Sequence, residues 1–241
     1  MDEIEEIQQK RLLSIQEYWA DSKSGLYSVL VVLPLILGYQ ILIWAYDISK
    51  INAADYLLQK LFKLIGVVGM NVVSLSILIA FFVAFVYHLK NKGSIEIHTK
   101  YVIMMIIEST IYAFCMFFGV KYLLNHIQLL SITAEKVALI LSSGVYEELV
   151  FRVVFISGFR RVFNLFWGNY RIFNISLAII FSSAVFSMFH FIGPMGNAFD
   201  WMQALVIFVL GFILSLIYIF RGFGIAVYAH MFFNFIVVLT V

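Results

Sequence analysis

The stretch that decides the fold covers residues 137–157 and reads VALILSSGVYEELVFRVVFIS. It is long and apolar enough to span a membrane, because a spanning helix needs about 20 predominantly apolar residues. Three ionisable side chains interrupt it, namely Glu147, Glu148 and Arg152. Each such group at the bilayer centre costs roughly 2.5–3.5 kcal/mol on insertion scales, so intramembrane ionisable residues mark functional sites by default. The stretch therefore predicts a membrane-spanning helix that carries a functional site.

The composition of the whole chain indicates the same class of protein. Of the 241 residues, 63% are hydrophobic and 12% are charged, and the mean hydropathy is +0.99. Soluble domains carry about 25% charged residues. We therefore predict an all-α fold, a polytopic transmembrane helical bundle, with membrane lipids around it and no nucleic-acid partner.

Apolar stretches of spanning length recur along the chain. Seven of them are candidates: residues 26–46, 64–88, 101–124, 137–157, 172–192, 202–220 and 225–241. Gly222 and Gly224 predict a tight turn between the last two. The piece 126–135 is interpreted as an interfacial helix that raises the apparent count, so we predict about seven spanning helices, or eight. They form a single transmembrane domain over residues 26–241, with the catalytic core in 137–241. Residues 1–25 are charged, with apolar residues at roughly helical spacing, which predicts an amphipathic helix on the membrane surface.

The placement of lysine and arginine predicts the orientation, because cytoplasmic loops carry an excess of both. Arg160, Arg161 and Arg171, in the loop expected after the fourth span, give the strongest local signal. They favour an N-terminus on the inside. In that orientation Glu147 lies near mid-membrane, and His190 lies nearer to the outer face.

The spacing of the ionisable residues predicts their roles. Glu148 and Arg152 are four residues apart, so they share a helix face and form the favourable order of ion pair. Glu147 is rotated by about 100° from Glu148. It is thus the unpaired carboxylate, suited to act as a general base or acid. A buried structural ion cluster is the alternative interpretation of all three residues.

Two further spans carry polar groups on one face. His190 ends the fifth span, one turn after Phe186, and the last span carries His230 and Asn234 four residues apart. A helical bundle can bring such faces together around one cavity. There Glu147, a proton carrier and hydrogen-bond donors for an oxyanion would meet. Alternatively, a histidine in a spanning helix only bonds to a neighbouring helix, which is also the reading we favour for Glu108.

In these residues the chain resembles the CAAX prenyl endopeptidase and bacteriocin-processing (CPBP, or Abi) family of intramembrane proteases. Its motif EExxxR stands at Glu147–Arg152, FxxxH at Phe186–His190 and HxxxN at His230–Asn234. Three motifs in order are fairly specific, and the resemblance covers roughly residues 137–241. One departure is Val153, where many members have Gly.

The resemblance implies a glutamate-dependent endopeptidase. Glu147, helped by His190, would activate a water molecule for attack on a peptide carbonyl, and His230 and Asn234 would stabilise the oxyanion. Glu148 and Arg152 would support the site. The substrate would be a peptide or protein, with lipid-modified ones included. The short chain looks more like a bacterial member of the family, which implies an integral, multi-pass protein of the bacterial plasma membrane.

Other functions remain open at this point. Glu and two His are plausible zinc ligands, which would make the chain a metalloprotease. No HExxH spacing occurs, so we expect no metal and no cofactor. A proton-coupled transporter would also use Glu and His, although no internal repeat is visible. A non-catalytic membrane scaffold or bacteriocin-immunity protein is the third alternative.

Overall fold

The computed structural model describes residues 14–48, 51–64, 97–121, 132–168, 170–192 and 196–240, with isolated positions between 66 and 90. These residues form helices and turns without any strand, which confirms the predicted all-α fold. The helices are α1 (Gly25–Tyr46), α2 (Ala53–Leu64), α3 (Thr99–Val120), α4 (Ala134–Ser142), α5 (Ser157–Trp167), α6 (Arg171–Phe189), α7 (Trp201–Arg221) and α8 (Phe223–Thr240). Two π-helical segments, Ser143–Glu147 and Leu149–Ile156, join α4 to α5.

Five helices of the described residues are long and apolar enough to cross a membrane: α1, α3, α6, α7 and α8. They lie close to five of the stretches predicted from hydropathy, and they make the chain an integral membrane protein. The predicted span 64–88 and the piece 126–135 fall largely outside the described residues. The count of seven or eight is therefore only approximate.

Local sequence signals begin and end these helices. The side chains of Ser24, Thr133 and Asp200 accept hydrogen bonds from the backbone N–H three residues later, as N-caps of α1, α4 and α7. Gly222 joins α7 to α8 with φ +92°, a conformation that L side chains rarely adopt. The predicted tight turn between the last two helices is thus present, and it lets α8 pack back against α1 and α3.

The helix that carries Glu147 is longer than expected. Consecutive helical elements run from Ala134 to Trp167, whereas hydropathy placed the end of the span at residue 157. Arg160 and Arg161 consequently lie within α5 and not in a loop. Their charge suggested a loop, but α5 is strongly amphipathic, so its polar face can lie at the membrane boundary. The π-helical winding falls in the middle of this element, and such segments are frequent at functional sites.

This extension corrects the expected depth of His190. Glu147 precedes Trp167 by about 20 residues, and His190 follows Arg171 by about the same number. Because α6 packs back along the preceding element after the turn at Gly168, both side chains lie about 30 Å from that turn at 1.5 Å per residue. Glu147 and His190 are therefore at the same level of the bundle.

Helical residues 14–22 are docked on the bundle through Glu108 of α3 and Arg221 of α7. The Arg221 guanidinium lies 2.6 Å from the Glu108 carboxylate, which also accepts a hydrogen bond from Tyr18 at 2.5 Å. Arg221 also stacks on the ring of Trp19 at 3.9 Å. Glu108 thus joins helices, as its expected role as a helix–helix contact requires. The division into a surface helix over residues 1–25 and one domain over 26–241 stays a prediction, and residues 1–13 lie outside the described residues.

Candidate active site

Glu147 closes the first π-helical segment and is only 6% exposed. Its Oε1 atom accepts a hydrogen bond from Asn52 Nδ2 at 2.6 Å. Its Oε2 atom has no hydrogen-bond partner among the described residues and lies 3.8 Å from His230 Nε2. One carboxylate oxygen is therefore held in place, while the other is buried without a hydrogen-bond donor among the described residues.

Glu148 and Arg152 form the predicted pair, and both are fully buried. Arg152 Nε lies 3.1 Å from Glu148 Oε2, and the guanidinium group stacks over the ring of Phe186 at 4.6 Å. The other Glu148 oxygen, Oε1, lies 2.8 Å from His230 Nδ1. Because a carboxylate only accepts, His230 carries a proton on Nδ1, and its Nε2 atom is turned toward Glu147. Glu148 therefore links Arg152 to His230 and sets the orientation of that ring.

The Phe186 side chain, one helical turn before His190, packs among the polar residues of the site. Its ring contacts the rings of His190 and His230 at centroid distances of 4.8 and 6.0 Å, besides the Arg152 guanidinium. A Cβ atom on Gly211 of α7 would lie 2.7 Å from the Phe186 ring, so a glycine at this position leaves room for the ring. Phe186 is thus an apolar spacer that packs the polar residues of three helical elements against one another.

His190 follows the last residue of α6 and is half-buried. Its Nδ1 atom lies 2.9 Å from the carbonyl oxygen of Phe186. Since a carbonyl oxygen only accepts, Nδ1 carries a proton, and Nε2 is the ring nitrogen left to exchange one. The backbone N–H of Asn197 donates to the His190 carbonyl at 2.9 Å, which places Asn197 beside His190. His190 can therefore accept and return a proton.

Asn234 lies one turn after His230 on α8. Its Nδ2 group donates to Ser143 Oγ at 2.8 Å, and Ser143 Oγ in turn donates to the Ile140 carbonyl at 3.0 Å. An amide nitrogen carries two hydrogens, so one Nδ2–H of Asn234 remains for another acceptor. The amide is held in one orientation, as a donor to an oxyanion must be.

These side chains surround a cavity of about 470 Å³ at the end of the bundle where α4 begins and α8 ends. Its polar walls are Asn52, Lys136, Ser143, Glu147, His190, Asn197 and Asn234. The apolar walls include Leu139, Ile140, Phe189, Val237 and Val238. His230 is not among the described side chains that line it, and its Nε2 atom lies 3.8 Å from Glu147 Oε2. The structure thus brings the six predicted site residues together, with His230, Glu148 and Arg152 behind the cavity wall.

Asn52 is a site residue that sequence reasoning missed. It precedes α2, where its Oδ1 atom accepts a hydrogen bond from the Ala54 N–H at 2.7 Å, so its Nδ2 group points at Glu147. Helix α2 is anchored through Asp55, which is 1% exposed and accepts a hydrogen bond from Tyr39 of α1 at 2.6 Å. Burial raises the pKa of the Asp55 carboxyl. Asparagine is a common N-cap, but no local pattern could indicate a partner 95 residues away.

Within the described part of the chain, no three His, Cys, Asp or Glu side chains are grouped as a metal ion would need. The expectation of a metal-free site remains a prediction, since chelation has to test it.

Comparison with known proteins agrees with the motifs. Residues 128–236 match the model of a family described as type II CAAX prenyl endopeptidase Rce1-like. The matched region contains all three motifs, so the resemblance to CAAX proteases is confirmed. The match supports a CAAX-protease-like membrane endopeptidase at the level of the family. No curated protein and no solved structure matches the chain.

Proposed function

We propose that the protein is a glutamate-dependent intramembrane endopeptidase in which Glu147 activates the attacking water. The observation that supports this most directly is the asymmetry of the Glu147 carboxylate. Asn52 holds Oε1, while Oε2 is buried without a hydrogen-bond donor among the described residues, beside a cavity that His190 and Asn234 also line. A buried acceptor without a partner costs about 1–3 kcal/mol. A water molecule or a substrate N–H that donates to Oε2 removes this cost.

These positions support the following reaction. Glu147 takes a proton from water as the water oxygen forms a bond to the carbonyl carbon of the peptide. The carbonyl π electrons move to oxygen and give a tetrahedral oxyanion. When the C–N bond breaks, the amine nitrogen receives the proton, which His190 Nε2 can carry from Glu147. Water is consumed, one acid and one amine are formed, and both side chains return to their initial state.

The oxyanion needs donors that are already oriented. Among the described residues one Nδ2–H of Asn234 has no acceptor. Removing an oxyanion donor typically costs about 2.7–4 kcal/mol of transition-state stabilisation. His230 can donate only through Nε2, because its Nδ1–H is bonded to Glu148. It therefore acts on the oxyanion only when both ring nitrogens carry protons. Glu148 and Arg152 keep this ring in place and do not react.

The substrates are peptides or proteins that reach the site from the membrane, with lipid-modified C-terminal segments among them. The cavity volume lies within the range of about 300–1,000 Å³ that is usual for ligand sites. Its mixture of apolar walls and amide or hydroxyl groups suits an extended peptide with apolar side chains. We further propose that the protein lies in the plasma membrane of a bacterium, since the short chain resembles bacterial members of the family.

The test is cleavage of a peptide panel that includes farnesylated C-terminal CAAX peptides. Purified wild type and Glu147→Gln are compared, each with and without a chelator. The proposal is supported if Glu147→Gln does not cleave the peptides and if the chelator leaves wild-type cleavage unchanged. Lys60→Ala, an exposed change on α2, is the control for activity lost during purification. Full activity of Glu147→Gln rejects it. Chelator-sensitive cleavage favours a metalloprotease, and an inactive wild type favours a transporter or a scaffold.

A further inference from the structure

Two adjoining cavities share no lining residue with the cavity beside Glu147. The first, of about 410 Å³, extends from Lys23 and Gly222 to Leu149 and Val153. The second, of about 280 Å³, includes Arg160 and Arg161 in its wall. Tyr218 and Ile219 of α7 line both, so the cavities are neighbours along that helix. The turn at Gly222 begins α8, whereas Asn234 lies about 18 Å further along it at 1.5 Å per residue, so neither cavity belongs to the active site.

The first cavity suits a hydrocarbon chain. Apart from Lys23 at its rim, Ser28 and Tyr218, its walls are apolar or glycine and include Val29, Leu149, Val153 and Phe223. These residues belong to four different helical elements, so the cavity is a cleft within the bundle. An acyl chain in such a cleft exchanges contacts with other lipid tails for contacts with a fixed apolar wall.

The second cavity suits an anion. Arg160 and Arg161 both line it together with Ser157 and Asn164, and none of its lining residues is acidic. Within the described residues neither arginine forms an ion pair, whereas Arg152 and Arg221 each lie against a glutamate. Two guanidinium groups without counter-charge, beside a hydroxyl and an amide, match a phosphate group, which arginine binds through paired hydrogen bonds.

The order of the two cavities matches the polarity of a membrane. Exposed aromatic side chains, Phe166, Trp167 and Tyr170, surround the turn after α5 and are 47–74% exposed. Aromatic residues of this kind are enriched at the membrane–water interface. The arginine cavity lies next to this turn, and the apolar cavity lies further along the same element toward Glu148. Along this element the arginine cavity is thus nearer to the aromatic turn than the apolar cavity, which is the order of a lipid headgroup and its acyl chain.

We propose that the two cavities together bind one anionic phospholipid. Its phosphate lies between Arg160 and Arg161, and one acyl chain passes Tyr218 and Ile219 into the cleft beside Leu149 and Val153. Those two residues lie on the second π-helical segment, where each directly follows one member of the buried Glu148–Arg152 pair. The bound lipid therefore packs directly against the segment that holds His230 in place, so it stabilises the folded protein whether or not the site is catalytic.

Native mass spectrometry of delipidated protein in detergent tests the proposal. The probes are palmitoyl-oleoyl phosphatidylglycerol, the corresponding phosphatidylcholine and inorganic phosphate. The proteins are wild type, Arg160→Gln/Arg161→Gln and the control Arg171→Gln, which removes an exposed charge near the same turn but outside both cavities. With about 1 kcal/mol for each basic side chain near a lipid surface, we expect the double variant to bind phosphatidylglycerol about 30-fold more weakly. Arg171→Gln should bind it like the wild type.

Each other outcome overturns the proposal. Equal binding of phosphatidylglycerol by wild type and double variant shows that the arginine pair is not the headgroup site. Equal weakening by Arg171→Gln shows a diffuse electrostatic effect. Phosphatidylcholine binding as tightly as phosphatidylglycerol removes the requirement for an anionic lipid, and displacement of the lipid by millimolar inorganic phosphate identifies a site for free phosphate.

Discussion

The buried pair Glu148–Arg152 allows a prediction about the free energy of unfolding. It separates the effect of an unpaired buried charge from the effect of lost packing. Both side chains are 0% exposed, and their charged atoms lie 3.1 Å apart. Arg152→Met removes one charge and keeps most of the volume, which leaves Glu148 without its counter-charge. Breaking a buried pair in this way costs about 3–5 kcal/mol. That is a large part of the roughly 5–15 kcal/mol that stabilises a typical domain.

The double variant Glu148→Gln/Arg152→Met gives the opposite expectation. It contains no unpaired charge, and the side-chain oxygen of the introduced glutamine can still accept the hydrogen bond from His230 Nδ1. Replacing a buried ion pair by uncharged residues of similar volume is often neutral or stabilising. We therefore expect the double variant to recover most of the free energy of unfolding that Arg152→Met loses. The coupling energy between the two sites should exceed about 2 kcal/mol.

The assay is equilibrium unfolding by SDS in mixed micelles, followed by the fluorescence of the four tryptophans and by circular dichroism. Arg171→Met, an exposed arginine on α6, is the matched control and should unfold like the wild type. The reasoning is refuted if the free energy of unfolding of Arg152→Met lies within about 1 kcal/mol of the wild-type value, because an unpaired buried charge should cost more than that. A double variant that loses the sum of both single effects would refute the ion pair equally.

Three further expectations concern the proposed reaction. Asn234→Ala should lower kcat by about 10²–10³ with little change in KM, since the lost donor acts on the oxyanion, and steady-state kinetics showing a pure KM effect would contradict that role. Asn52→Ala should lower kcat about 10- to 100-fold, because it removes a charge-assisted hydrogen bond to Glu147 worth about 1.5–3 kcal/mol. The exposed α2 variant Lys60→Ala should leave kcat unchanged. Equal kcat values for the two variants would exclude a role of Asn52 in the reaction. Dialysis against a chelator should not alter the cleavage rate, and a loss that zinc restores would show a metal site instead.

Local sequence was sufficient for features that depend on one helix. The Glu148–Arg152 pair follows from four-residue spacing, and the tight turn at Gly222 follows from residue type. The sequence did not predict where the helix after Arg152 ends. Basic residues at a membrane boundary give the same sequence pattern in a loop as on the polar face of a helix such as α5. As a result, hydropathy placed His190 at the wrong depth.

The sequence by itself determined the class of protein, the helical periods and the residues able to perform chemistry, because these depend on composition and on spacing within about one helical turn. Only the tertiary structure decided which of them meet. In the folded chain Asn52 donates a hydrogen bond to Glu147, and His230 is hydrogen-bonded to Glu148. His190 lies at the same level of the bundle as Glu147. The physical reason is that nearly every surface of these helices is apolar. Hydrophobicity therefore does not select partners, and close packing, small residues and a few buried hydrogen bonds determine which helix faces come together.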